Sequence, residues 1–247
     1  MKIAIASYAF HGLHAQGQID LFGYMESCKY RYQLASADIW NGMFLSTEDD
    51  YLKKVKGALD ERGLELANLC VDGAHIWEDD PDLREKNYQN ALAYLHAAEV
   101  LGARTIRIDA GVREPMFTNQ QFDWIVQRYQ EYARRAADNG YRVGPENHWG
   151  AEVNPSNMVQ ICEAVDRPAF GILLHFRGNE GDALMAPWAM HTHISMEVTT
   201  TCLEDSMAML RAAGYQGYWS VEHHSAKNEY SEVAIQVARV RDQLSRW

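Results

Sequence analysis

The stretch YRVGPENHWG, residues 141–150, opens as a short buried strand at Arg142–Pro145 and ends in three polar groups, Glu146, Asn147 and His148. Side chains alternate along a strand, so Glu146 and His148 point the same way. A carboxylate and an imidazole together at a strand end are costly to bury and add nothing as packing. Chemistry is therefore expected where this strand stops.

Outward from that strand, strand and helix signals alternate through the chain. Strands are expected at Ile3–Ser7, Asp38–Trp40, Leu64–Val71, Arg104–Asp109, Tyr141–Glu146, Phe170–His175, Met190–Ser195 and Tyr218–Glu222. An amphipathic stretch runs from Ile19 to Leu34. Thr47–Gly63 opens on a cap-like Thr47, carries Leu52, Val55 and Leu59 on one face and stops at glycine. In Pro81–Gly102, residues Tyr88, Ala91, Leu92 and Leu95 recur at helical spacing, as do Phe122, Ile125, Val126 and Tyr129 in Thr118–Gly140. Further helices are expected at Pro155–Val165, Leu203–Gly214 and from the last strand to Trp247. Phe176–Ala189 reads as a loop with at most a turn of helix. Eight strands, each but one followed by a helical pattern, in 247 residues match the size of a single (β/α)8 barrel, an α/β TIM barrel spanning 1–247. A doubly wound open sheet is the alternative, but Ser7–Phe10 after the first strand holds no glycine-rich nucleotide fingerprint.

Composition narrows the function. A net charge of −11 disfavours nucleic acid as a partner, because phosphate binding is driven by Lys and Arg. No apolar run reaches the length of a membrane span, so no membrane partner is expected. MKIAIAS lacks the features of a signal peptide, and Cys28, Cys70, Cys162 and Cys202 show no paired spacing. Reduced thiols and a cytoplasmic location are expected. A small sugar or polyol substrate is compatible with the charge. Exposed aromatics such as Trp247 permit a homo-oligomer without requiring one.

Barrel enzymes carry catalytic groups at the C-terminal ends of their strands. Here the late strands end in metal-ligand types: Glu146 on the fifth, His175 on the sixth, His193 on the seventh and Glu222 on the eighth. Four consecutive strands can bring these groups around one point. Imidazole with carboxylate suits Mn, Fe, Co, Ni or Zn better than Ca. Each residue also has a plainer reading. A strand-end glutamate is often a solvated rim charge, and His175 closing an apolar run is often a hydrogen-bonded core residue. His191 fits a packing position below His193, and His223 and His224 fit the rim. In Thr105–Asp109, Thr105, Arg107 and Asp109 alternate with Ile106 and Ile108; if the isoleucines face the helices, Arg107 points into the barrel, where it pairs with a site carboxylate, binds substrate or forms a structural ion pair. Trp40, His75 and Trp77 near the ends of the second and third strands, and less directly Tyr8 and His11, are candidates to line a pocket at this rim, although Trp is also a natural packing residue under a loop.

These motifs resemble the xylose isomerase-like TIM-barrel superfamily, in particular its sugar phosphate isomerase/epimerase branch. The resemblance runs from SYAFH at the start through DIWNG, ENHWG and the HTH of strand seven to GYQGYWSVEHH. It implies one divalent metal ion (Mn, Co, Zn, Fe, Ni or Mg) held by Glu146, position 175, His193 and Glu222. It implies proton transfer beside a carbonyl through an enediolate, with Glu146 and Glu222 as paired acid and base. His148 would bind a substrate hydroxyl or hold Glu146. Glu152 falls where ketose 3-epimerases of the family carry a second glutamate. Three positions depart from the family pattern. His175 replaces an aspartate, Gly178 stands where ketose epimerases have a substrate-binding histidine, and Ile194 follows His193 where Lys-Asp is common. A metal-dependent lyase of the inosose or dehydroshikimate dehydratase type shares the same proton abstraction, and a non-catalytic barrel binding protein is the rival of a different class. An abasic-site endonuclease shares the barrel, but the acidic charge and the few extra metal ligands count against it.

Overall fold

The apolar runs become eight parallel strands in this computed structural model, which describes residues 1–247. They are β1 (Ile3–Ile5), β2 (Ser36–Trp40), β3 (Glu65–Val71), β4 (Thr105–Ile108), β5 (Arg142–Gly144), β6 (Ile172–His175), β7 (Ala189–Ile194) and β8 (Trp219–Val221). Four pair in the order β2-β3-β4-β5 and four in the order β1-β8-β7-β6. Isolated parallel bridges close the two seams. Ala6 meets Asp38 between β1 and β2, while Val143 meets Phe170 and Glu146 meets Leu173 between β5 and β6. The ring is thus complete, the expected (β/α)8 barrel, and an open doubly wound sheet is excluded.

Ten helices surround it: α1 (His11–Ala15), α2 (Leu21–Glu26), α3 (Asp49–Arg62), α4 (Pro81–Leu101), α5 (Asn119–Asn139), α6 (Pro155–Val165), α7 (Glu180–Met185), α8 (Met196–Thr201), α9 (Leu203–Ala212) and α10 (Glu229–Ser245). Local chemistry sets their ends. Asp80 accepts from the Asp82 N–H at the start of α4, with Pro81 in its first turn. Thr118 and Gln121 form a reciprocal capping box on α5. Both helices stop at a glycine of positive φ, Gly102 and Gly140. The cap expected at Thr47 lies elsewhere: Glu48 is the N-cap residue of α3, and Ser46 Oγ accepts its N–H at 3.0 Å. The segment Phe176–Ala189, expected as a loop, contains α7 and a short turn at Ala186–Trp188. No helix is long and apolar enough to cross a membrane.

The main hydrophobic core lies between the barrel wall and the helices, where Ile106 and Ile108 of β4 join Leu95, Ile125, Tyr129 and Val237. The barrel interior is different in kind. Thr105 Oγ1 donates to Asn68 Oδ1 at 2.7 Å, and Asn68 Nδ2 donates to Asp38 Oδ1 at 2.9 Å, all three buried. Only a small apolar group, Cys70, Leu173 and Met190, packs separately from the main core. At the β5–β6 seam, a Cβ on Gly144 would lie 1.7 Å from the Gly171 carbonyl oxygen. Glycine there lets the two strands close, and that closure brings Glu146, two residues on, against β6.

Candidate metal centre

Strand β5 ends at Gly144, and Glu146 follows it just past Pro145. Its side chain is 1% exposed and turns inward, toward the ends of β6, β7 and β8. His193 Nδ1 lies 2.8 Å from Glu146 Oε1, and His175 Nδ1 lies 3.1 Å from the same oxygen. Glu222 Oε2, just beyond β8, is 3.3 Å from His193 Nδ1 and 3.4 Å from His175 Nδ1. The four donor atoms therefore surround one point, all within 4.8 Å of one another.

This set fits a divalent ion. Zinc, for example, binds nitrogen and oxygen at about 2.0–2.2 Å, which at tetrahedral angles separates donors by roughly 3.3–3.6 Å. The observed separations of 2.8 to 3.4 Å lie close to that spacing. Two imidazoles among four donors favour a first-row transition ion over calcium. Glu146 Oε1, His175 Nδ1, His193 Nδ1 and Glu222 Oε2 would hold it.

The electrostatics keep both carboxylates ionised. Burial alone would raise Glu146, but the charges of His148 and His193 and the bonds from His175 and His193 hold it well below the usual carboxylate range. Glu222 is held low in the same way, against burial, by His193 and His224. Burial would lower His193, yet Glu222 and Glu146 raise it well above its ordinary value. His148 is also raised, against burial, by Glu146 and Asp109.

A cavity of about 220 Å³ opens above the centre. His193 and Glu222 line it together with His148, Arg107 and Trp40. His148 shares a side with Glu146, with Nδ1 3.5 Å from Oε2 and Nε2 2.9 Å from Asp109 Oδ2. Arg107 faces the interior between its two isoleucines. Its Nη1 donates to Asp72 and Asp109 at 2.9 Å each, and its Nε lies 3.4 Å from Glu146 Oε2. Trp40 Nε1 donates to Asp72 Oδ2 at 2.6 Å, and its ring stands edge-on to Tyr8. Tyr8 lines the cavity, with His11 stacked behind it at 4.5 Å.

Three expected pocket residues lie elsewhere. His75 sits in the β3–α4 loop, 3.4 Å from Glu78 and packed against Trp149, and borders a different cavity, between α4 and α5. Trp77 is buried, bonds Asp79 through Nε1 and carries Arg84 on its face. Glu152 is fully buried and accepts the Ala110 N–H at 2.8 Å, tying down the loop after β4. His191 lies below His193, as its spacing suggested, and donates to Asp38 at 2.7 Å. The two histidines after Glu222 part company. His223 is buried against the Lys227 carbonyl, while His224 lines the cavity with Nε2 3.1 Å from Glu222. Period two could have separated them, since Glu222 and His224 share a face. Asp38 and Asp109 were the main omissions. Asp38 shares a face with Trp40 on β2, and Asp109 shares one with Arg107. Burial would raise Asp38, but His191 and His193 hold it far below the usual range.

A family model described as xylose isomerase-like TIM barrel matches residues 31–177. The chain belongs to the xylose isomerase-like TIM barrel family. Among family relatives, the inosose dehydratase of Erwinia tasmaniensis is 29% identical over 122 residues. That match spans 46% of this chain and 39% of the relative, so it covers about two fifths of the relative's length. Two solved structures share the family's barrel along nearly their whole length. The IOLI protein, solved with a binding zinc atom, gives a TM-score of 0.79 at 16% identity, covering 100% of this chain and 99% of that one. The 3-keto-D-glucoside 4-epimerase YcjR from E. coli gives 0.74 at 18% identity, covering 98% and 99%. At these identities the likeness is one of fold.

Proposed function

We propose that this protein is a metal-dependent sugar isomerase or epimerase that moves a proton at a carbon beside a carbonyl. The observation that carries the reading is the convergence of Glu146, His175, His193 and Glu222, two ionised carboxylates and two imidazoles on one point. A divalent ion bound there supplies Lewis-acid polarisation of a carbonyl and its neighbouring hydroxyl, and stabilises the negative charge that develops on oxygen. Glu146 and Glu222 come from different walls of the barrel. One removes the carbon-bound proton, and the other returns a proton to the opposite face or to the neighbouring carbon. General acid–base work of this kind contributes on the order of 10²–10⁴-fold. Arg107 and His148 hold Glu146 Oε2 from two sides, and His148 is within reach of a substrate hydroxyl in the cavity. Tyr8 and Trp40 offer ring surface to the apolar side of a sugar. A cavity of about 220 Å³ suits a small unphosphorylated sugar or polyol better than a larger ligand, for which roughly 300–1,000 Å³ is usual.

A dehydratase is the second reading, supported by the segment shared with the inosose dehydratase. It uses the same proton removal and then expels water. The test is turnover of a panel of ketoses, aldoses and inososes by metal-loaded protein in deuterated water. Deuterium beside the carbonyl of a new stereoisomer or isomer supports isomerisation. Loss of water with new ultraviolet absorbance supports the dehydratase. Metal uptake without exchange or product on any substrate would leave a binding protein.

A further inference from the structure

Asp38 is fully buried on β2 and stands outside the four-donor set, yet polar groups from three other strands, β3, β7 and β8, point at it. Its Oδ2 accepts from His191 Nε2 at 2.7 Å, His193 Nε2 at 3.0 Å and Ser220 Oγ at 2.7 Å. Its Oδ1 accepts from Asn68, whose amide is oriented in turn by Thr105. Its backbone is pinned as well, because Tyr24 Oη lies 2.9 Å from the Asp38 N–H and 3.0 Å from the Asp38 carbonyl oxygen. Both carboxylate oxygens and both backbone polar groups of Asp38 are thus engaged.

We propose that Asp38 is the positioning residue of the metal centre: it takes the Nε2–H of His193 and so leaves Nδ1 as the atom that coordinates. The inference rests on the metal-centre reading above. The His193 ring has a carboxylate at each nitrogen, Glu146 Oε1 at 2.8 Å and Asp38 Oδ2 at 3.0 Å, so turning the ring over would place carbon against both. The other neighbour of Nε2, Cys70 Sγ, is 3.9 Å away and a poor competitor for the proton. A neutral acceptor would satisfy His191 and Ser220 at less cost than a buried anion. What the anion adds is basicity at the far nitrogen of His193, the usual effect of a carboxylate behind a metal-binding imidazole.

Metal-free protein titrated with Co(II) tests this, with wild type beside Asp38→Asn and thermal unfolding of both metal-free forms as the control for folding. The expected result is one Co(II) per chain in each, with the variant binding about 10–100-fold more weakly and its visible cobalt spectrum altered. An unchanged Kd and spectrum in a folded variant would overturn the assignment. So would two Co(II) in wild type falling to one in the variant, which would make Asp38, His191 and His193 ligands of a second ion. If Asp38→Asn does not fold, long-range proton–nitrogen NMR of zinc-loaded wild type decides: His193 protonated on Nε2 supports the proposal, and protonated on Nδ1 refutes it. Wild type that takes up no metal fails earlier, and sinks the metal centre itself.

Discussion

His175 Nδ1 lies 3.1 Å from Glu146 Oε1, across the seam where β5 and β6 meet. A histidine thus stands where the family pattern has an aspartate, and its nitrogen faces the oxygen that His193 also faces. The substitution changes the charge of the donor set while keeping a donor in place.

His175→Asp is therefore expected to keep metal binding and change its preference. Adding a hard, anionic oxygen in place of a nitrogen favours Mn²⁺ or Mg²⁺ relative to Zn²⁺. Competition titrations should show the Mn-to-Zn affinity ratio rising by at least about tenfold, or 1.4 kcal/mol. A ratio equal to wild type would mean that His175 contributes no bond to the ion.

Glu146→Gln keeps the shape of the side chain and removes both its charge and its capacity to take a proton. Turnover should fall on the order of 10²–10⁴-fold on whichever sugar the wild type uses, with the circular dichroism spectrum unchanged. Full activity in a folded variant would remove Glu146 from the chemistry.

Arg107→Met leaves Asp109 and Glu146 buried with one fewer counter-charge. Breaking a buried pair from one side costs about 3–5 kcal/mol. For a chain of this size that corresponds to a Tm lower by roughly 6–20 °C in the metal-free protein. A calorimetric Tm within about two degrees of wild type would show that His148 and solvent can replace the guanidinium.

Glu152→Gln probes a carboxyl that burial, with Asp109 nearby, pushes well above its ordinary value. The native state holds this proton where the unfolded chain has released it. The stability it contributes is complete below the unfolded value of about 4.3 and is lost as pH rises toward the native value. Glutamine keeps an acceptor for the Ala110 N–H and does not titrate. The Tm of the variant should therefore gain on that of wild type from about pH 5 upward, with a gap that widens with pH. Parallel pH profiles would show that Glu152 is ionised in the folded protein.

The barrel was legible because its strands are short apolar runs separated by helices with strong punctuation, such as Pro81 to Gly102 and Thr118 to Gly140. Convergence of the late strand ends was legible for the same reason: a parallel ring delivers Glu146, His175, His193 and Glu222 to one rim. Asp38 was not, because the histidines and the serine on its Oδ2 lie 153 to 182 residues away and only the closed ring brings them together. His75 and Glu152 misled for a related reason. Both belong to segments beyond the strands, where period two no longer says which way a side chain turns. Short helices such as α1 and α8 escaped because their apolar faces are too brief to show a period.

Glu146 belongs to the β2–β5 half of the ring, while His175, His193 and Glu222 belong to the β6–β1 half. One half therefore supplies a single oxygen and the other supplies the remaining three donors. Neither arc by itself contains a complete chelate. On the proposed reading, metal affinity would be a gauge of ring closure: parting β5 from β6 would separate the Glu146 oxygen from the other three donors, however well each arc kept its own strands in register.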